Sequence, residues 1–162
     1  DKANVLPSMV FFREIFDHVA RDFPTVATEH IYVDAAALFL VQRPESFDVI
    51  VTENMFGDIL SDLAAGLIGG MGMAPSGDIG ETCAVFQPSH GTAPDIAGQG
   101  KANPIGTILS AAMMLEWLGE KDQANRIETA VQKTLANPDN RAADLRGNKT
   151  TDELTQAIIA NL

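Results

Sequence analysis

Residues 47–67 read FDVIVTENMFGDILSDLAAGL, and this stretch indicates the class of fold. FDVIVT (47–52) is a continuous apolar run of the kind that forms a parallel strand buried on both faces. A helix from about residue 54 to residue 67 is predicted to follow it, because apolar residues recur there at helical spacing. A buried strand that leads into a helix is typical of an α/β architecture.

The segments on either side continue the alternation of helices and strands. The Gly-rich stretch 69–81 is predicted to be irregular, and its residues 69–77 separate the alternating part of the chain from a more helical part. We therefore expect a domain boundary there, with residues 1–68 in one domain and residues 69–162 in another. The further predicted helices are 8–23, 34–43, 103–118, 121–136 and 151–161, and the further predicted strands are 30–33 and part of 81–88.

Composition excludes several classes of protein. The 162 residues suffice for one ordinary domain, and 46% hydrophobic with 20% charged residues is a globular composition. A formal net charge of −11 argues against nucleic acid or a membrane surface as a partner, because a polyanion requires a basic footprint. No run of 18 apolar residues and no signal-peptide pattern is present. The single cysteine, Cys83, allows no internal disulfide, so a cytoplasmic location is expected.

Asp58 and Asp62 are the first candidates for chemistry. They stand four residues apart on one face of the predicted helix 54–67, where like charges repel by a few tenths of a kcal/mol. Carboxylates on a narrow polar stripe suit Mg²⁺ or Mn²⁺, and a solvated helix face is the alternative. Asp34 is a third candidate ligand or, equally, a helix cap. Lys2, beside Asp1, indicates nothing by itself.

The segment HGTAPDIAGQGKANP (90–104) is predicted to be a loop rich in hydrogen-bonding groups. His90, Asp95 and Asn103 lie in it among glycines, and such a loop suits the base and ribose of a nucleotide. An ordinary structured loop is the alternative. GMGMAP (70–75) begins like a dinucleotide fingerprint, but Pro75 stands where the last glycine belongs, so a classical Rossmann site is not indicated.

NMFGDILSDLAAGLIGGMGM (54–73) resembles the long signature of the β-decarboxylating dehydrogenases, the isopropylmalate and isocitrate dehydrogenase family. The resemblance covers essentially the whole chain and corresponds to about the C-terminal half of such an enzyme, so we expect a fragment of a longer protein. It implies an isopropylmalate dehydrogenase-like α/β fold, a three-layer αβα arrangement with a mixed sheet. Residues 1–68 would be part of the smaller dimer-forming domain that binds metal and substrate, and 69–162 part of the dinucleotide-binding domain. Other segments in the family's order are DKANVL (1–6), YVDAAALFLV (32–41), FDVIVTENMFGD (47–58), HGTAPDIAGQGKANP (90–104) and ILSAAMMLEWLG (108–119).

The resemblance also implies an activity. The family oxidises a 2-hydroxy acid with NAD(P)⁺ and then removes its β-carboxylate. Asp34, Asp58 and Asp62 would bind Mg²⁺ or Mn²⁺, which polarises the substrate's oxygen. Lys2 and Asp34 would be catalytic, with Lys2 helping to take the hydroxyl proton through water. In family dimers the residues matching Lys2 and Asp34 reach across from the other subunit, so we expect a homodimer with a shared active site.

The same resemblance assigns the loop 90–104 to the cofactor. His90, Gly91, Asp95, Ile96 and Asn103 match the family's cofactor-binding residues. Relatives that prefer NADP⁺ tend to carry basic or aromatic residues at the positions of Asp95 and Ile96. The pair found here therefore indicates NAD, because a carboxylate opposes a 2′-phosphate.

The expected substrate is a 3-substituted malate-type 2-hydroxy acid, namely 3-isopropylmalate, isocitrate or homoisocitrate. LAAGLIGGMGMAPSGDIG (63–80) is nearer to the isocitrate and homoisocitrate enzymes. Two alternatives stay open, a tartrate- or malate-type member and a non-catalytic metal- or nucleotide-binding fragment. The family's substrate-binding arginines and catalytic tyrosine lie upstream of this chain, and Tyr32 does not match that tyrosine, so the fragment alone is expected to be inactive. Arg146 stands where relatives often have glycine, which bears on cofactor preference.

Overall fold

The computed structural model describes all 162 residues. The chain divides into two compact units, residues 1–64 and residues 65–162. The assignment of 1–68 and 69–162 to a metal-binding and a dinucleotide-binding domain stays a prediction. The helices are α1 (Pro7–Ala20), α2 (Val33–Gln42), α3 (Asn54–Leu67), α4 (Ile105–Trp117), α5 (Lys121–Ala136) and α6 (Thr151–Ile159), and the strands are β1 (Pro75–Ile79) and β2 (Ala84–Pro88).

The unit formed by residues 1–64 is built from helices α1 and α2 and most of α3. Its buried cluster consists of Ala36, Leu40 and Leu60, so α2 and α3 bury their apolar faces together. The carboxylate of Glu53 accepts hydrogen bonds from the backbone N–H groups of Met55 and Phe56 at 3.1 and 2.9 Å. These bonds satisfy two of the N–H groups that a helix start leaves without partners. Glu53 thus fixes the start of α3, on which Asp58 and Asp62 lie.

The unit formed by residues 65–162 packs an antiparallel hairpin, β1 with β2, against helix α4. Short 3₁₀ turns at Met71–Met73, Pro138–Asn140 and Ala143–Leu145 connect its elements. A capping box between Thr150 and Glu153 starts helix α6. No helix of the structure is both long enough and apolar enough to cross a membrane. The core of this unit consists of Ile105, Ala130, Val131, Ala142, Leu154 and Ile158.

The predicted helices are confirmed, and their ends differ from the prediction by a few residues at most. The largest difference is at α1, which ends at Ala20 instead of residue 23. The helix predicted from residue 103 begins two residues later, with Pro104 at the N-cap. Helix α4 begins at Ile105, whose N–H donates to the side-chain oxygen of Asn103 at 3.0 Å.

Two predicted strands are wrong, because no strand of this chain pairs with them. Residues 47–52 form no ladder, none of the residues 48–52 makes a backbone hydrogen bond, and Val49 is 83% exposed. Outside the start of helix α2, the backbone of residues 30–33 forms hydrogen bonds only with Asp1, whose ammonium group donates to the carbonyl of Ile31 at 3.2 Å and whose carbonyl accepts from the N–H of Val33 at 2.7 Å. A strand requires neighbouring N–H and C=O groups, and apolar composition alone does not supply them.

Strand β1 lies within the Gly-rich stretch 69–81 that was predicted to be irregular, and this prediction is wrong for residues 75–79. Gly77 pairs with Phe86 across the hairpin. A Cβ atom at Gly77 would lie 3.0 Å from the ring of Phe86, so the absence of a side chain lets that ring lie against the strand. The hairpin is the only sheet, so of the expected three-layer arrangement this chain holds helices and one pair of strands.

Candidate active site

Lys2 and Asp34 form a close ion pair. The Nζ atom of Lys2 lies 2.7 Å from Oδ1 of Asp34, and their side chains are 24% and 68% exposed. The carbonyl of Lys2 accepts hydrogen bonds from Val5 and Leu6, which fixes the turn before helix α1. Asp34 lies in the first turn of α2. The structure thus brings together the two residues that the resemblance names as catalytic.

The charge of Asp34 is stabilised locally. A hydrogen bond from Lys2 holds the pKa of the Asp34 carboxyl below its ordinary value, and the backbone N–H groups of Asp34 and Ala35 act in the same direction. The alternative interpretation of Asp34 as the helix cap is not what the structure shows, because Tyr32 occupies the cap position and has no side-chain capping bond. Asp34 is therefore an ionised acceptor beside a lysine.

Asp58 and Asp62 lie one turn apart on helix α3, and both are exposed. Neither carboxylate takes part in any of the four ion pairs of the chain or in any side-chain hydrogen bond. Two unpaired carboxylates one turn apart fit the oxygen ligands that Mg²⁺ and Mn²⁺ take. Asp34 does not join them, because no three acidic, histidine or cysteine side chains lie close enough to hold a metal ion.

The loop 90–102 is ordered by short-range hydrogen bonds. The ring of His90 contacts the carbonyl of Gly91 through Nδ1 at 2.9 Å. The N–H of Ile96 donates to Ala93 at 3.1 Å, which closes a turn around Asp95. The Asp95 side chain is exposed and makes no hydrogen bond or ion pair. Its carboxylate is therefore available to accept from a hydroxyl group.

Asn103 ends this loop and is only 7% exposed. Its Oδ1 accepts from the N–H of Ile105 at 3.0 Å, and its Nδ2 donates to Oδ2 of Asp144 at 3.0 Å and to the sulfur of Met73 at 3.6 Å. The side chain thus has its hydrogen-bonding capacity used within the protein. By contrast, its backbone N–H and C=O form no hydrogen bond in the chain. If Asn103 meets a nucleotide, it does so with its backbone.

Three further residues position Asn103 and the loop, and the sequence analysis did not propose a role for any of them. They are Gly72, Asp144 and Thr151. A Cβ atom at Gly72 would lie 2.4 Å from Oδ2 of Asp144 and 2.9 Å from Cβ of Asn103, so only glycine fits there. Thr151, the first residue of α6, donates from its N–H to Gly100 at 2.8 Å and from its hydroxyl to Ala102 at 2.6 Å. Asp144 and Thr151 are 41 and 49 residues from their partners, so local pattern gives no signal of these contacts.

Arg146 caps the turn Ala143–Leu145 in a left-handed conformation, with φ 61° and ψ 26°. This conformation is one that glycine adopts freely and other residues rarely do. The side chain is exposed and forms no ion pair.

A sequence model of the isocitrate/isopropylmalate dehydrogenase family matches residues 1–158. An isocitrate/homoisocitrate dehydrogenase of Thermus thermophilus is 57% identical over 162 residues, covering 99% of this chain and 48% of that protein. A 3-isopropylmalate dehydrogenase of Archaeoglobus fulgidus is 48% identical, covering 99% of this chain and 49% of that protein. The chain therefore spans about half the length of the curated relatives it matches.

Solved structures agree with the sequence comparisons. The isocitrate dehydrogenase from Methylococcus capsulatus matches with a TM-score of 0.90 at 44% identity, over 99% of this chain and 48% of that one. A β-decarboxylating dehydrogenase from Thermococcus kodakarensis matches with a TM-score of 0.82 at 43% identity, over 99% and 47%. The expected fold class is confirmed by these neighbours.

Proposed function

Because this chain belongs to the isocitrate/isopropylmalate dehydrogenase family, we propose that it is part of an enzyme that oxidises a 2-hydroxy acid with NAD and then decarboxylates it. The observation that carries the proposal is the 2.7 Å contact between Lys2 and Asp34. A lysine within hydrogen-bond reach of a carboxylate is placed to pass a proton. The relatives named above are dehydrogenases, which supports the reaction class.

Lys2 is proposed to release its own proton to solvent and then, as a neutral amine with a free lone pair, to take the hydroxyl proton of the substrate through a water molecule. The side chain of Lys2 is 24% exposed and is oriented by Asp34, so its position is defined before substrate arrives. Preorganisation of this kind reduces the entropic part of the barrier. Asp34 is proposed to keep the side chain of Lys2 in this position.

Asp58 and Asp62 are proposed to hold Mg²⁺ or Mn²⁺ together with Asp34 of a second copy of the chain. Support comes from the two unpaired carboxylates on α3 and from the absence of a third ligand near them within one chain. When bound, such an ion would act as a Lewis acid toward the oxygen atoms of the substrate. The site is then complete only in a homodimer.

NAD is the proposed cofactor. The exposed carboxylate of Asp95 accepts from ribose hydroxyls and repels a 2′-phosphate. Asn103 offers one free donor and one free acceptor on its backbone, which suits the edge of a base. His90, Gly91 and Ile96 are proposed to line the same binding loop.

The proposed substrate is a 3-substituted malate-type acid, namely isocitrate, homoisocitrate or 3-isopropylmalate. The names of the relatives span all three acids, so they support this class of substrate and not one member of it. A reducing cytoplasm is the proposed location, in agreement with one free, exposed cysteine.

The test is NADH formation by the full-length protein, followed at 340 nm with Mg²⁺ and, in turn, isopropylmalate, isocitrate, homoisocitrate and tartrate. We expect one preferred acid and no activity in the Asp58→Asn variant. Asp122→Asn is the matched control, because Asp122 is also an exposed helical aspartate without an ion pair. No turnover with any acid, or full activity in Asp58→Asn, would count against the proposal.

A further inference from the structure

We propose that Arg13 and Asp1 are positioning residues, whose ion pair holds Lys2 and Asp34 in contact. This inference rests on the proposed function, because it explains how the same catalytic pair is oriented. Arg13 lies on helix α1, one face of which is otherwise apolar. Neither Arg13 nor Asp1 touches the reacting atoms in this proposal, and both act through their neighbours.

The ion pair between Arg13 and Asp1 is more buried than any other ion pair in the chain. Nε of Arg13 lies 2.8 Å from Oδ2 of Asp1, and the two side chains are 24% and 7% exposed. In each of the other three ion pairs one side chain is at least half exposed. Exposed pairs contribute little and move freely, whereas a buried hydrogen-bonded pair fixes the geometry of both partners.

Asp1 forms hydrogen bonds with both of the segments that carry the catalytic pair Lys2 and Asp34. Its Oδ1 accepts from the N–H of Ala3 at 2.7 Å, which fixes the segment that carries Lys2. Its carbonyl accepts from the N–H of Val33 at 2.7 Å, which fixes the residue before Asp34. One residue therefore sets the spacing of the two backbones from which Lys2 and Asp34 project.

Arg13 adds a contact to the aromatic ring that precedes helix α2. Its guanidinium carbon lies 4.9 Å from the ring centre of Tyr32, and Nζ of Lys2 lies 5.7 Å from the same centre. Cations at these distances are attracted to the face of the ring. Arg13 thus links α1, Asp1 and Tyr32, and the planar guanidinium suits both the carboxylate and the ring in a way that lysine does not.

The test uses the full-length protein with Arg13→Met, which keeps the apolar stem, and Arg13→Lys. We expect Arg13→Met to lower kcat about tenfold or more and to leave the KM for NAD within about twofold, because the cofactor loop is not touched. Arg13→Lys is expected to recover part of kcat through its charge. Arg21→Met is the control, because Arg21 is exposed and makes no ion pair, and we expect wild-type kinetics there.

Asp1→Asn is the second variant, in case Arg13→Met does not fold. It keeps an acceptor for Ala3 and removes the charge that Arg13 faces. Crystal structures of the variants provide a readout that does not depend on turnover. We expect the 2.7 Å contact between Lys2 and Asp34 to open in Arg13→Met or Asp1→Asn. An intact contact with unchanged kcat would overturn the inference, even if the wild-type substrate proves to be another acid.

Discussion

Asn103→Asp changes one atom of a buried side chain and reverses the polarity of its contact with Asp144. The new carboxylate still accepts from Ile105, so the start of helix α4 keeps its bond. In place of the Nδ2 donor, however, an oxygen faces Oδ2 of Asp144 at a separation that is 3.0 Å in the wild type. The variant therefore loses a hydrogen bond and gains a like-charge contact.

The expected loss of stability follows from the lost hydrogen bond and the new charge repulsion. A hydrogen bond to a charged acceptor is worth about 1.5–3 kcal/mol. Two unit charges 3.0 Å apart repel by about 5 kcal/mol at an effective dielectric constant of about 20, but Asp144 is exposed and its side chain can rotate into water. We expect the free energy of unfolding to fall by about 2–4 kcal/mol in total.

Urea unfolding of the full-length protein measures this loss, and calorimetric titration measures NAD binding. Because Asn103 is proposed to meet NAD with its backbone, we expect affinity for NAD to fall about tenfold or more, equivalent to about 1.4 kcal/mol. Adding Asp144→Asn should restore most of both losses, because the amide can donate to the new carboxylate. Asn137→Asp is the matched control, since Asn137 is an exposed cap whose Oδ1 accepts from Asp139 and whose amide nitrogen has no partner. Wild-type stability in Asn103→Asp, or no recovery in the double variant, would refute the reasoning.

Two further predictions concern the glycine beside Asn103 and the ionised state of Asp34. Gly72→Ala should destabilise the protein by about 1–3 kcal/mol, because there is no room for its Cβ atom. Gly66→Ala, in helix α3 with open space around it, should instead stabilise the protein by up to about 1 kcal/mol. Thermal unfolding compares the two variants, and equal effects on stability would contradict the close packing described around Gly72. Lys2→Met should raise the pKa of the Asp34 carboxyl toward its ordinary value, measured by carboxyl NMR, and leave that of Glu153 lowered by its Thr150 bonds. Since the folded pKa of Asp34 is depressed, the stability it contributes is present above its unfolded pKa and is lost as pH falls through the folded value. An unchanged Asp34 titration in Lys2→Met would show that Lys2 is not its partner.

Local signals in the sequence were sufficient to predict the helices. The apolar periodicities of α1 and α3 depend on residues within one or two turns, so they are visible in a single segment. The strands depend on partners far along the chain. Residues 47–52 have the composition of a buried strand but no partner strand in this chain. Strand β1 was missed because Pro75 and Gly77 are uncommon in strands, although the pairing with Phe86 and its neighbours makes the segment a strand.

The same distinction applies to the candidate site. Asp58 and Asp62 were singled out because a four-residue spacing is a local signal, whereas Lys2 and Asp34 were assigned to one site only through the resemblance, which did not predict the contact between them. Asp144 and Thr151 were not found, since they meet the loop from more than 40 residues away. Residues that position a site through long-range contacts leave no pattern in their own segment.

The central claim is that this chain takes part in NAD-dependent oxidative decarboxylation. The most direct measurement is the ratio of CO₂ to NADH released by the full-length protein from its preferred 2-hydroxy acid with Mg²⁺, in wild type and Lys2→Met. We predict one CO₂ for each NADH in wild type, and a loss of both products in Lys2→Met because the proton acceptor is gone. NADH without CO₂, or undiminished turnover in Lys2→Met, would contradict the claim.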